Sequence, residues 1–198
     1  MRTTAAGCTA LLTAIVLASA GCSPSDQQQA ISSLVAVGAK IKTDNESRVI
    51  EVNLANTKAT DSDLASLKYL PDVQSLNCTN VPIRGQGLDN LVGLHDLQTL
   101  FLVGTDVDDA GLAHLAGLKS LRTLHLGRTK ITDAGLPALA DLANLRTLSL
   151  GNTAITDAGL FNLRNMKDLA TLTLRSTKVT PGGAQELRRF LPKAHIER

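Results

Sequence analysis

The chain has 198 residues, a formal net charge of +2, only 2% aromatic residues and no Trp. So near a charge balance implies no particular partner and no nucleic-acid ligand. Its three cysteines, Cys8, Cys22 and Cys78, provide neither a disulfide framework nor metal-ligand spacing.

Residues 1–21 read as a secretion signal. Arg2 gives a positive start, and "ALLTAIVLASA" is an apolar run of suitable length. The run ends in "ASAGC", which resembles the bacterial lipoprotein processing site, with Cys22 as the lipidated first residue. An ordinary signal cut near Ala20 and a retained anchor are the alternatives, although the run is short for a membrane span. Residues 22–26 then form a short tether.

Residues 27–48 are expected to cap the N-terminal end. "DQQQAISSLVAVGAKI" places Ile31, Leu34 and Val35 on one helical face, with Gly38 as the helix stop. "AKIKTDNESRVIEVNL" follows as a short strand, a polar turn and a second strand.

Residues 49–192 split into six units of 24 residues with no insertion or deletion. The hexamer "ITDAGL" occurs at 131–136 and again at 155–160, and Leu76, Leu100, Leu124, Leu148 and Leu172 fall in register. A fixed period of this length marks one structural unit copied along an axis. The L-x-L half of each unit alternates as a half-buried strand does. The second half, as in Leu136, Leu139 and Leu142, suits one face of a short helix. Thr132 and Thr156 are placed to cap that helix, and Asp133 and Asp157 to favour its positive end. Thr180–Pro181 keeps this pattern, whereas Pro137 predicts a helix that starts late or as a tighter turn. Neither half-unit is stable alone, so stacking must bury the leucines in one continuous core. At residues 193–198, Ile196 stands 24 after Leu172 and predicts a closing cap strand, with Phe190 covering the last gap.

The spelling L-x-x-L-x-L-x-x-T-x-[IV]-T-D-x-G-L-x-x-L-x-x-L resembles a leucine-rich repeat. It is most similar to the cysteine-containing, ribonuclease-inhibitor-like subtype found in F-box proteins, in a Thr version met in bacterial exported proteins. The ninth position, usually Cys or Asn, reads Thr57, Val81, Thr105, Thr129, Thr153 and Thr177. The resemblance implies an α/β leucine-rich repeat solenoid, with parallel strands on the concave face and short helices on the convex face. It covers about three quarters of the chain and carries little about function.

No catalytic motif, phosphate-cradling loop or nucleotide fingerprint is present, so the sequence implies neither an enzyme nor a cofactor. Asp61, Asp109, Asp133 and Asp157 recur at 24 or 48 residues and should form a ladder on one edge. Helix starts account for them, with calcium as the alternative. Cys78 takes a core-facing strand position.

On the implied concave face, one column reads Glu51, Ser75, Thr99, Thr123, Thr147 and Thr171. The next reads Asn53, Asn77, Phe101, His125, Ser149 and Thr173. Thr suits any exposed strand, but Phe101 is the one aromatic there. His125 and Val103 are its neighbours, and Arg128 and Arg175 stand at strand ends. An aromatic rimmed by Arg resembles a binding hot spot. The sequence therefore predicts non-catalytic recognition of a protein or peptide partner, at a cell envelope, with membrane attachment through Cys22. A structural spacer, an F-box-like adaptor or secreted effector, and a periplasmic or secreted soluble form are the alternatives.

Overall fold

A computed structural model describes residues 23–198, so the expected signal and Cys22 lie outside the described residues. Helix α1 (Pro24–Ala36) opens the fold, with Ser23 as its N-cap. Strand β1 (Lys40–Thr43) follows and runs antiparallel to β2 (Val49–Asn53). Gly38, at φ 96°, ends the helix as expected. Within α1 the buried residues are Gln27, Ala30 and Leu34, with Ile31 partly buried. Val35, expected on the same face, is instead 52% exposed, because one further residue turns it about 100° away from Leu34.

One strand of three residues then recurs in each of units 2 to 6 and in the closing segment. They are β3 (Ser75–Asn77), β4 (Thr99–Phe101), β5 (Thr123–His125), β6 (Thr147–Ser149), β7 (Thr171–Thr173) and β8 (His195–Glu197). All pair in chain order, and β2 to β8 are parallel with Val52, Leu76, Leu100, Leu124, Leu148, Leu172 and Ile196 side by side. These residues are at most 5% exposed and form one wall of a continuous core. Cys78 completes the inner row, and burial pushes its thiol up to about 12.

The opposite wall is wound more tightly than a helix of about ten residues. It consists of 3-10 segments, such as Asp63–Tyr69, Gly85–Leu91 and Leu136–Leu139. Single α-turns join them at α2 (Asp109–Ala113) and α3 (Asp157–Leu160), and only α4 (Pro181–Phe190) is ten residues long. Leucines every third position match 3.0 residues per turn better than 3.6, because side chains at i and i+3 then eclipse on the core side. Pro137 fits the start of such a turn.

Thr hydroxyls at the ninth position tie each strand exit. Thr57, Thr105, Thr129, Thr153 and Thr177 each donate to the carbonyl three residues back, at 2.6–2.8 Å. Val81 has no hydroxyl to do so. The residue before the ninth position is left-handed in every unit: Asn56, Asn80, Gly104, Arg128, Asn152 and Ser176 have φ between 56° and 69°. Asn and Gly tolerate that conformation best.

The Asp ladder has a second partner beyond its own helix. The Asp109 carboxylate accepts from the Thr132 backbone N–H at 2.7 Å and from its hydroxyl at 2.6 Å. Asp133 does the same for Thr156, and Asp157 for Thr180. Each Thr hydroxyl in turn accepts from a first-turn N–H, as its capping role requires. The carboxylate therefore clamps one unit to the next, and these bonds hold Asp157 below the usual carboxylate range. The following Gly is what leaves room: a Cβ on Gly135 would stand 2.5 Å from the Asp109 carboxylate.

Candidate functional site

The concave face is built by the strand residues that point away from the leucines. Glu51, Ser75, Thr99, Thr123, Thr147 and Thr171 form one half-buried column. Asn53, Asn77, Phe101, His125, Ser149, Thr173 and Glu197 form the next. Most of these side chains are short and neutral. Asn53 and Asn77 turn inward on their own chain, accepting from the backbone N–H two residues on at 2.9 and 3.0 Å.

Phe101 and His125 break that surface. They face one another across β4 and β5, and their rings stack with centroids 4.8 Å apart and planes 27° apart. Both are half-buried. Burial lowers the pKa of His125, so the imidazole is neutral at neutral pH and can either donate or accept a hydrogen bond. Val103 follows Phe101 in the same strand exit and is also half-buried. Phe101 and His125 make an aromatic pair in the middle of the sheet, with Val103 two residues along the chain and Thr99, Thr123 and Ser149 on the neighbouring strand positions.

The two arginines are held elsewhere. Arg128 is exposed and donates to Asn80 Oδ1 at 2.7 Å, two units back. Asn80 donates in turn to Asn56 Oδ1 at 2.8 Å. The reach across is possible because Gly104 lies between them: a Cβ there would stand 2.5 Å from Asn80 Oδ1 and 3.1 Å from Arg128 Nη2. Arg175 is paired with Glu197, three strands from Val103, which is about 14 Å at ordinary strand spacing. Phe101, His125 and Val103 are thus together, Arg128 borders the same edge, and Arg175 stands apart.

The other histidines do not join this site. His114 pairs with Asp89 at 2.5 Å on the helical side, and His195 lies at the start of β8. Among the described residues no group of three or more His, Cys, Asp or Glu side chains is placed to hold a metal ion. No helix among them is long and apolar enough to cross a membrane.

A second candidate surface escaped the sequence reading. Between α3 and α4 the convex side opens into a cleft of about 530 Å³, lined by Phe161, Arg164, Leu187 and Phe190 among others. Phe161 is 62% exposed and Phe190 43%, so Phe190 does not cover the end of the core as expected; Leu187, Leu191 and Ile196 do. The available signal was Phe161, an aromatic on a helical half at a position where the other units carry Ala65, Asp89, Ala113, Pro137 and Gln185.

Comparison with known proteins concerns the fold. The family model described as "Leucine Rich repeat" matches residues 117–140 and 142–163. Similar solved structures include a leucine-rich repeat protein of Leptospira interrogans, with TM-score 0.64 and 24% identity. That match covers 75% of this chain and 37% of the other, so the chain spans little more than a third of that protein's length. Internalin C2 of Listeria monocytogenes aligns with TM-score 0.53 and 21% identity, over 87% of this chain and 81% of its own. An internalin (inlF) of the same organism aligns with TM-score 0.55 and 17% identity, over 87% and 54%. A search of curated protein sequences finds no match. The fold is a leucine-rich repeat solenoid.

Proposed function

We propose that this leucine-rich repeat solenoid is a non-catalytic recognition module that seats a protein or peptide partner on its concave sheet. The observation that supports the reading is the Phe101–His125 stack, set with Val103 into a face of small neutral residues. Rigid aromatic anchors ringed by near-neutral polar contacts are the usual make-up of a protein-binding centre. Arg128 stands at the rim, and Arg175 extends the same edge by three strands. The neutral His125 imidazole gives the platform a directional hydrogen bond. Leucine-rich repeat modules commonly bind proteins, which agrees with this use of the sheet.

The chain is further proposed to be exported and attached to a cell-envelope membrane by a lipid on Cys22. The support is the grammar of residues 1–22. Cys22 stands two residues before the start of α1, so a lipid there would hold the cap directly at the membrane surface. Cys22→Ser should move the chain from the membrane to the soluble fraction, and an unchanged distribution refutes the anchor.

The test of recognition is capture from envelope extract by the full chain beside Phe101→Ala and Arg128→Asn variants. Asn already occupies the position of Arg128 in three other units, so the second change keeps the backbone intact. A protein held by the native chain, lost with Phe101→Ala at an unchanged melting temperature and weakened with Arg128→Asn supports the reading. Equal capture by all three removes the concave site, and empty captures throughout favour a spacer.

A further inference from the structure

We infer that the convex cleft between the last two units is a self-association surface, which takes a second copy of this chain across a two-fold axis. Four large apolar side chains are exposed among the described residues: Val35, Val92, Phe161 and Phe190. Val35 lies in α1 and Val92 just after the Gly85–Leu91 segment, whereas the two phenylalanines line one cleft. Two exposed aromatics converging on one concavity mark an interaction site more strongly than scattered apolar residues do.

The walls of the cleft carry charges of both signs, Arg164 on one and Glu186 on the other, while Asp157, which also lines it, is already engaged by the Thr180 N–H and hydroxyl. One wall presents Phe161 with Arg164 stacked 3.3 Å above its ring. The other presents Phe190 and Glu186 from α4, with Leu187 between them at the cleft floor. Glu186 is exposed and has no ion-pair partner among the described residues. Lys167 fixes the spacing of the walls, since its Nζ donates to the carbonyls of Arg164 and Phe190 at 2.9 Å each.

An isologous interface needs a surface that complements itself, so that residue i meets j while j meets i. This cleft has that property. A two-fold axis along it lays the Phe161–Arg164 wall of one copy on the Glu186–Phe190 wall of the other, twice over. Each Arg164 then meets a Glu186, and each Phe161 meets a Phe190. The concave sheets stay free on the outer sides of such a pair, so two binding faces would act together and gain avidity. The inference does not depend on what those faces bind.

The test is sedimentation velocity of the full chain in mild detergent over a range of concentrations. A reversible dimer is expected. Phe161→Ser should raise its dissociation constant about a hundredfold while leaving the monomer's melting temperature unchanged. Arg164→Glu or Glu186→Arg alone should each raise it about tenfold, and the double reversal should return it to within about threefold of native. The charge swap keeps the test sound if Phe161→Ser folds poorly. A chain that stays monomeric to about 0.5 mM overturns the inference. So does a dimer indifferent to both reversals, or a monomeric chain whose cleft takes up an aromatic peptide instead.

Discussion

The junctions between units 3 and 6 and the junction between units 2 and 3 use the same 24-residue frame and the same leucine core, but they are fastened differently. From unit 3 onward, Asp109, Asp133 and Asp157 each reach the next unit's Thr with two hydrogen bonds. In unit 2 the corresponding residue is Gly85, so this position offers no carboxylate to unit 3, and the acidic contact across that junction is instead Asp89 with His114 on the helical side. There the backbones close up instead. A Cβ on Gly85 would stand 2.5 Å from the Gly111 Cα, whereas one on Gly135 meets the Asp109 Cα at 3.2 Å. The repeated "TDxG" is therefore a fastening between neighbours. The Asp supplies the acceptor, the Thr the donors, and the Gly the space for the carboxylate.

Filling that space should have the largest effect. Gly159→Ala would drive a methyl group into the Asp133 carboxylate and tighten against Leu136 Cδ1 at 3.0 Å. Asp133 would have to surrender its two bonds to Thr156, so a loss of about 2–3 kcal/mol is expected, or roughly 5–10 °C in melting temperature. Gly117→Ala is the control. Nothing lies within 4 Å of its Cβ position, and it should be neutral or stabilise by about 0.5 kcal/mol. Equal effects of the two changes would show that the carboxylate is not what reserves the glycine.

Restoring the repeat spelling at the odd junction should fail. Gly85→Asp supplies the missing carboxylate, yet its Cβ meets backbone of Gly111 rather than a movable side chain. We expect a loss of about 1–3 kcal/mol by chemical denaturation. A gain would mean that the carboxylate bridge alone sets unit spacing.

A smaller contrast separates the ninth positions. Thr153→Val removes a buried hydroxyl that donates to the Leu150 carbonyl at 2.6 Å and should cost about 1 kcal/mol. Val81→Thr adds the hydroxyl where unit 2 lacks it, within reach of the Cys78 carbonyl that already accepts from Val81 N–H at 3.2 Å. It should stabilise by up to about 1 kcal/mol. Opposite signs for the two changes are the expected outcome in paired melts.

Period and strand register were legible because a constant spacing leaves stacking no alternative, and Leu100 can only lie beside Leu124. The 3-10 character of the helical side was also written in the leucines at every third position, but a period of three was read as one face of an α-helix. The Asp–Thr–Gly clamp was not legible from one unit, since its partners lie 23 residues apart and the donor hydroxyl looks like an ordinary helix cap. For the concave platform, register placed His125 beside Phe101. It could not show that Arg128 is drawn to Asn80 over Gly104, because that depends on a side chain absent from the unit between them. The column Asn, Asn, Gly, Arg, Asn, Ser did carry the signal of a left-handed position, which explains why Arg128 stands out at a turn rather than on the sheet.

The weakest effect concerns the platform itself. Burial beside Phe101 lowers the pKa of His125 from its ordinary 6.5, so the folded chain binds this proton less readily than the unfolded chain. Such a group adds stability above pH 6.5 that fades as pH falls through the folded value. His125→Gln, which keeps a polar group but cannot titrate, should flatten the fall of melting temperature below pH 6.5. Asp44, Asp106 and Asp157, whose pKa values are lowered from 3.8, take effect only at lower pH. The difference between native and variant profiles is thus confined to the interval just under pH 6.5. A parallel pair of profiles would place His125 in water rather than under the neighbouring ring, and would weaken the platform as a binding centre.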